Sequence, residues 1–291
     1  MDCVYCQLGG GAGTTARRRP LAPERAVLAE IRTALESGTR IEAITFSGSG
    51  EPTLHSGLGR IIRGVKRMTR VPVVVLTNSS TLTRPDVRKA LAAADIVVPS
   101  LDAATEGVFR KINRPHPTLT AAKIIAGLIE FRRVFRGRIQ IEILFVKGVN
   151  DRPGHLRALR RAIALIRPDR VQLNTVVRPP AERTARPISE AALKRIKHFL
   201  GGETEIIAAF PEKRQTTGTL DLARRVRDVV ERRPETPDGI ARSLGVTVVE
   251  IRRAAEGLEA AGLIKEVGHD GRIYYESGKA GSDADAGDVG D

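Results

Sequence analysis

The chain is poor in aromatic residues, contains no tryptophan and has only two cysteines among its 291 residues. Aromatic residues make up 3% of the sequence, so we expect a core of Leu, Ile, Val and Ala. This length can bury a sizeable core and favours one large domain with a smaller one. Two cysteines cannot supply the several disulfides of small secreted proteins. The pair Cys3 and Cys6 therefore indicates a metal or redox site.

Long apolar runs are also absent. No stretch reaches the roughly 18–20 apolar residues of a membrane span, and no apolar signal-peptide segment opens the chain. These absences predict a soluble, cytoplasmic protein. Acidic residues are in deficit, with 34 against 48 Lys and Arg, which gives a formal net charge of +14. Such a surplus favours a polyanionic partner, nucleic acid first, although a solvated Arg-rich surface has the same composition.

Short β-branched runs alternate with amphipathic segments through the first two thirds of the chain. The runs predict strands at 41–46, 71–76, 95–99, 139–146 and 170–173. The amphipathic segments predict helices at 23–37, 58–68, 85–93, 119–135 and 153–166. Repeated strand–helix units imply a parallel sheet, and polar residues follow the carboxyl end of each strand. Active sites of α/β barrels lie at that edge.

The composition changes near Thr216. Three helical patterns and a hairpin with His269-Asp270-Gly271 at its turn follow, and their order resembles a winged helix. We therefore expect domains at 1–215 and 218–276. Residues 277–291 are rich in Gly, Ala, Ser and Asp without periodicity, which predicts a disordered acidic tail.

Two motifs carry the candidate chemistry. Cys3-Val4-Tyr5-Cys6 brings two thiols within reach of one soft metal centre. Alone, this pair could equally be half of a zinc site, a redox dithiol or two inert cysteines. Further on, Gly48-Ser49-Gly50-Glu51-Pro52 closes a predicted strand, and its glycines would let a ligand approach the backbone. The same segment could be a strand–helix turn, with Glu51 near the helix start and Pro52 in its first turn.

Together these motifs resemble the radical S-adenosylmethionine (SAM) superfamily. Its pattern is Cys-x3-Cys-x2-Cys with an aromatic residue before the last Cys, which is Tyr5 here, followed by a Gly-Glu-Pro type of element. The resemblance implies a (βα)6 TIM-like barrel, a 4Fe-4S cluster held by Cys3 and Cys6, and SAM bound at its open iron. The first cysteine and first strand of that pattern would precede Met1. We therefore expect an incomplete α/β barrel lacking its first strand, and poor assembly of the cluster.

The resemblance also implies a set of SAM-binding residues at the strand ends. The Gly50-Glu51-Pro52 segment would hold the methionyl amino group of SAM. The other residues would contact its ribose, carboxylate or adenine, or the substrate; they are Thr77, Asn78, Ser100, Asp102 and Asn174. Each of these residue types is equally common as a turn or helix-capping residue.

Further strings narrow the resemblance over about residues 1–215. Among them are Pro99-Ser100-Leu101-Asp102-Ala103, Ile112-Asn113-Arg114-Pro115-His116 and Val171-Gln172-Leu173-Asn174-Thr175. They look like a group related to wyosine-base tRNA synthetases. This implies an enzyme that abstracts hydrogen from a substrate, with a tRNA base as one candidate and a reductase or flavodoxin-type electron donor. The competing hypotheses are a non-catalytic nucleic-acid-binding protein and a zinc-binding regulator.

Overall fold

Two compact units make up the chain, residues 1–208 and 209–291. The computed structural model describes residues 1–6, 15–38, 40–48, 50–177, 180, 182–208, 219–232, 234–269 and 272–278. The predicted domain boundary near Thr216 lies outside the described residues, and so does the predicted tail from residue 279 onward.

The first unit contains a parallel sheet of six strands. They are β1 (Ile44–Phe46), β2 (Val73–Thr77), β3 (Ile96–Pro99), β4 (Arg138–Phe145), β5 (Arg170–Thr175) and β6 (Thr204–Ile206). Each strand pairs with the next in the chain, so the spatial order is β1 to β6. Among the described residues, no strand pairs with the outer edge of β1 or β6. The predicted parallel α/β sheet is confirmed, whereas the missing first strand of a barrel stays a prediction.

Helices connect these strands. They are α1 (Glu24–Glu36), α2 (Leu58–Met68), α3 (Pro85–Leu91), α4 (Glu106–Asn113), α5 (Ala121–Val134), α6 (Pro153–Ile166) and α7 (Glu190–Leu200). A 3-10 turn, Pro52–Leu54, follows β1. Helices α4 and α7 and strand β6 were missing from the sequence-based prediction. Of these, α4 has the greatest consequence because its last residue, Asn113, lies in the candidate site.

One face of the sheet forms the hydrophobic core. In β4, Ile139, Ile141, Ile143 and Phe145 are fully buried, and they alternate with partly exposed residues. The core is mostly Leu, Ile and Val, as the composition predicts. Phenylalanine contributes more than expected, because Phe131 of α5 stacks on Phe135 with ring centroids 4.7 Å apart.

The opposite face of the sheet, which we call the open face, is half-buried, and its two halves differ in polarity. Paired residues of a parallel ladder, and residues two apart on a strand, point to the same side. The register therefore places Val74, Leu76 and Val98 on this face in β2 and β3. In β4 to β6 the same face carries Glu142, paired with Gln172, which is paired in turn with Glu205. One half of this face is thus apolar and the other half is polar.

The second unit folds around its own core. Its elements are α8 (Thr219–Arg232), α9 (Pro237–Leu244), α10 (Val248–Ala260), β7 (Ile264–His269) and β8 (Arg272–Ser277). The two strands form an antiparallel hairpin. The core of this unit includes Ile240 of α9, Ile251 of α10 and Tyr275 of β8. This order of elements is the one predicted, while its identification as a winged helix stays a prediction. In the described part of the chain, no helix is both long and apolar enough to cross a membrane.

Candidate active site

The first six residues, which we call the Cys loop, lie against the carboxyl-terminal end of α4. The backbone N–H groups of Asp2 and Val4 donate to the carbonyls of Asn113 (3.1 Å) and Ile112 (2.9 Å). The loop turns so that the Cys6 N–H donates to the Cys3 carbonyl at 2.9 Å. Both cysteines are free and half-buried. Two thiols thus lie on one backbone turn, beside the carboxyl edge of the sheet.

The Asp102 carboxylate lies beneath this loop and is 3% exposed. Its Oδ2 accepts hydrogen bonds from the Tyr5 hydroxyl at 2.5 Å and from the Asn113 amide at 2.7 Å. Its Oδ1 accepts from the Leu144 N–H at 2.9 Å. Burial raises the pKa of this carboxyl, although the bonds from Tyr5, Leu144 and Asn113 act in the opposite direction. Asp102 therefore joins the Cys loop, α4 and β4.

The Asn113 amide also reaches the first cysteine. Its Nδ2 lies 3.4 Å from the Cys3 sulfur, while its Oδ1 is buried without a hydrogen-bond partner. Burial, reinforced by the charge of Asp102, raises the pKa of the Cys3 thiol to about 11. Because metals bind the thiolate, loading a metal here must displace a proton from Cys3.

Glu51 connects the carboxyl ends of β1 and β2. Its Oε1 accepts from the Thr53 N–H at 3.1 Å and from the Thr77 hydroxyl at 2.6 Å, and the Thr53 hydroxyl also donates to it. Its Oε2 accepts from the Asn78 N–H at 2.6 Å. This carboxylate therefore caps the turn that begins at Pro52 and holds the neighbouring strand end. Its predicted contact with SAM stays a prediction, as do those of Gly50 and Pro52.

The structure brings several of the remaining predicted site residues together. Tyr5, Asn78, Ser100, Asp102 and Asn113 are among the residues that line one small pocket. Thr77 is 4% exposed, and its hydroxyl is used by Glu51, so it lies behind the pocket wall rather than in it. The pocket lies where the Cys loop meets the ends of β2 and β3.

Asn174 lies apart from this pocket, on the polar half of the open face. Its amide donates to Glu142 Oε1 at 2.8 Å. Burial raises the pKa of the Glu142 carboxyl above its usual value. Glu142 was not among the predicted site residues. The alternation of Gln140 and Glu142 with isoleucines in β4 was the signal that could have found it, because period-two patterns separate the two faces of a strand.

The residue types of the Cys loop fit an iron–sulfur cluster. Thiolates are the protein ligands of such clusters, and Cys3 and Cys6 supply two on a single turn. Among the described residues, no group of three or more His, Cys, Asp or Glu side chains could hold a metal by itself. The described residues therefore bring two of the three thiolates in the pattern.

Comparison with known proteins adds to this geometry. The Radical SAM superfamily profile matches residues 1–159. The chain is 30% identical over 277 residues to the GTPase Obg of Brachyspira hyodysenteriae, covering 94% of this chain and 41% of that protein. It is 34% identical over 183 residues to UPF0026 protein slr1464 of Synechocystis sp., covering 62% of this chain and 68% of that protein.

A solved structure with the same fold is that of Streptococcus suis SuiB bound to S-adenosylmethionine. Its TM-score is 0.55 at 14% identity, covering 72% of this chain and 47% of SuiB. The chain thus spans 41% of Obg's length, about two thirds of the Synechocystis protein and about half of SuiB. Because the family profile covers more than half of its residues, the chain belongs to the radical SAM superfamily.

Proposed function

We propose that this protein is a radical SAM enzyme that cleaves SAM reductively to start hydrogen abstraction from a substrate. The observation that carries the proposal is the position of Cys3 and Cys6. Both lie on one turn at the carboxyl edge of a parallel sheet, where α/β enzymes place their chemistry. Family membership makes SAM and a 4Fe-4S cluster the cofactors to be tested.

Cys3 and Cys6 would ligate iron. When bound, the cluster supplies one electron that breaks a carbon–sulfur bond of SAM, which gives methionine and a 5′-deoxyadenosyl radical. The chain's own residues hold the surroundings in place: Glu51 fixes the ends of β1 and β2, and Asp102 fixes the Cys loop. The apolar half of the open face, with Val74, Leu76 and Val98, offers a wall that excludes water from a reactive radical.

The substrate proposal is a nucleobase within RNA, with a tRNA base as the first candidate. Two observations support it. The net charge of +14 suits a polyanion. The polar half of the open face presents Gln140, Glu142, Gln172 and Asn174. Their amide groups can donate and accept hydrogen bonds along the edge of a base, and the carboxylate can accept them. The resemblance to wyosine-base tRNA synthetases points to the same class.

Anaerobic reconstitution with iron and sulfide tests the proposal. We expect the chain to take up iron and acid-labile sulfide at less than one cluster per chain, because it supplies two of the three thiolates of the pattern, and to develop a brown, oxygen-sensitive absorption. With dithionite and SAM, methionine and 5′-deoxyadenosine should form. Cys3→Ser and Cys6→Ser should each reduce bound iron to background, because the cluster needs thiolate ligands.

Ser56→Ala is a suitable control, because Ser56 supplies no thiolate and its backbone pairs with Arg19 rather than with the Cys loop. Its iron content should equal that of the unmodified protein. Iron that persists in both cysteine variants would refute the assignment of the ligands. Uptake of zinc without iron would favour the zinc-binding regulator. The structure does not itself favour that alternative. Structural zinc takes four protein ligands, and the described residues contain no group of three or more His, Cys, Asp or Glu side chains that could hold a metal.

A further inference from the structure

The Cys loop is held by contacts that are very distant in sequence. Tyr5 and Asp102 are 97 positions apart, and Cys3 and Asn113 are 110 apart. Within the loop, Val4 is the one residue whose side chain joins the hydrophobic core. Apolar packing alone is therefore a weak reason for these six residues to adopt a single conformation, given the entropy lost on ordering them.

Both oxygens of Asp102 are already engaged by the protein, and Oδ2, which faces the loop, accepts two hydrogen bonds. Three donors from three different segments reach its two oxygens: the Tyr5 hydroxyl, the Asn113 amide and the Leu144 N–H. A carboxylate that was meant to contact SAM would need an exposed oxygen, whereas this residue is 97% buried, with 3% exposed. Its geometry is that of a fixed acceptor for the loop.

Asn113 independently indicates the same function. Its side-chain amide donates to both Asp102 and Cys3, while its own Oδ1 is buried and unpartnered. A buried acceptor without a donor is unfavourable. The side chain holds this orientation because its two donated bonds compensate for the loss. The next residue, Arg114, is left-handed with φ 39°, which ends α4 and frees the Asn113 carbonyl for the Asp2 N–H.

We propose that Asp102 and Asn113 are positioning residues that fix the Cys loop at the carboxyl edge of the sheet before any metal is bound. Asp102 acts through the Tyr5 hydroxyl, and Asn113 acts through Cys3 and the backbone of Asp2. Both cysteines then lie on a preformed turn before metal is loaded, instead of on a freely moving segment. The inference rests on the proposed function only for the identity of Cys3 and Cys6 as ligands, since the geometry belongs to the metal-free chain.

Amide hydrogen exchange of the metal-free protein, with chelator and reductant present, tests this inference. The reporters are the N–H groups of Val4 and Cys6, which donate within or next to the loop. In Tyr5→Phe, Asp102→Asn and Asn113→Ala, exchange at these two amides should be roughly tenfold faster or more, the size expected for losing a hydrogen bond to a charged group. Exchange in the fragments of β4 and α5 should not change in Tyr5→Phe.

Asp95→Asn is the matched control. Asp95 stands just before the amino end of β3, and its carboxylate accepts from the Val73 N–H at 2.7 Å, far along the strand from the loop. It removes one carboxylate charge, as Asp102→Asn does, and should leave exchange at Val4 and Cys6 unchanged. Tyr5→Phe keeps the Asp102 carboxylate, so a change in the charge of Asp102 cannot produce the faster exchange expected in that variant.

Tyr5→Phe keeps the test decisive if Asp102→Asn fails to fold, because it removes only a hydroxyl. Unchanged exchange at Val4 and Cys6 in Tyr5→Phe would overturn the inference. So would equally faster exchange across β3 and β4 in that variant, since the network would then support the sheet and not the loop. Iron uptake that is unchanged in both Cys3→Ser and Cys6→Ser would refute the proposed function, but it would not affect the conclusion drawn from hydrogen exchange.

Discussion

His155 is buried at the start of α6 in a fully satisfied hydrogen-bond pattern. The Ala104 N–H donates to its Nε2 at 3.0 Å, so the ring proton is on Nδ1, which donates to the Asn150 carbonyl at 2.8 Å. Burial lowers the pKa of His155, and the Asn150 bond partly opposes this. The side-chain amide of Asn150 donates to the Asp102 carbonyl at 3.0 Å. His155 is therefore connected to the backbone of Asp102 through Asn150.

This arrangement predicts a loss of stability under mild acid. The unfolded chain gains a proton on His155 as pH falls below about 6.5, while the folded chain resists it. We expect the free energy of unfolding of the first unit to fall between pH 7.5 and 5.5, by at most about 1.4 kcal/mol per pH unit from this group. Urea unfolding of unmodified protein and His155→Gln at several pH values measures it.

The His155→Gln variant should be less stable at pH 7.5 but should show a shallower decline toward pH 5.5. His116→Gln serves as the control, because its ring lies in an exposed turn and bonds only to Thr118 within the described residues. Equal pH slopes in the unmodified protein and His155→Gln would contradict this prediction.

At the residue scale, sequence patterns predicted residues that the structure places near one edge of the sheet, while the role of each in binding or catalysis stays a prediction. Asn78, Ser100 and Asp102 do line one pocket, because parallel strands bring their carboxyl ends together. Cys3 contacts Asn113, which lines the same pocket. The internal bonding of Glu51 and Asp102 could not be foreseen. It depends on rotamers and on the backbone of residues far away in sequence, which no local pattern encodes.

Helix termini show how local chemistry defines the elements. Helix α10 begins with a capping box, in which the Glu250 N–H donates to the Thr247 hydroxyl at 3.1 Å and the Glu250 carboxylate accepts from the Thr247 N–H at 2.6 Å. Two backbone N–H groups that lack helical partners are satisfied in this way. The Thr-x-x-Glu pattern is visible in the sequence, so local chemistry marks the residue at which α10 begins.

Thr247→Ala should destabilise the second unit by about 1 kcal/mol, since it removes the cap acceptor. Thr247→Ser keeps the hydroxyl and should restore most of the loss. Urea unfolding followed by tyrosine fluorescence suits the measurement, because Tyr274 and Tyr275 lie in β8 of this unit. A midpoint that is the same in Thr247→Ala and unmodified protein would show that the cap contributes nothing.

Two of the three elements that sequence reasoning missed are short, whereas the third, α7, has 11 residues. Helix α4 has eight residues, and β6 has three, two of them polar. Such segments are fixed by tertiary packing: Phe109 and Ile112 of α4 are buried, and the β6 residues pair with β5. The strand at 71–76, by contrast, was predicted from its β-branched residues without any knowledge of tertiary packing.

At the scale of the whole molecule, the charge surplus is the property that most directly concerns a partner. In the second unit, Arg252 and Arg253 are exposed on α10, but Lys265 is paired with Glu276 at 2.8 Å. The positive surface of this unit is therefore narrower than its composition suggests. A nucleic-acid partner for it stays a prediction, with protein interaction as the alternative.

We expect the full chain to bind tRNA with an affinity that falls with salt, by roughly 0.7–0.9 log units per log unit of salt for each phosphate neutralised. Replacing both Arg252 and Arg253 by Ala should make this slope shallower. Replacing Arg63 and Arg67, two exposed residues of α2 in the first unit, gives a control of equal charge. Fluorescence anisotropy with labelled tRNA at several salt concentrations measures the slopes.

Equal slopes in the two double variants would assign binding to diffuse charge rather than to α10. No binding at low salt would instead favour a protein-interaction function for the second unit. Composition alone predicted that the net charge is positive. It could not predict which basic side chains are neutralised by ion pairs, because a pair such as Lys265–Glu276 depends on which residues lie opposite each other in the hairpin.

The long separation between the Cys loop and its partners has a consequence for the order of synthesis. A ribosome makes the two cysteines before Asp102 and Asn113, which follow 97 to 110 residues after the loop residues that they bind. At about 5–20 residues per second, this delay is on the order of 5–20 s. Until Asp102 and Asn113 have been made, the Cys loop lacks the side chains that hold it in the folded chain. Assembly of this site in a cell therefore requires residues made earlier to dock on residues made later.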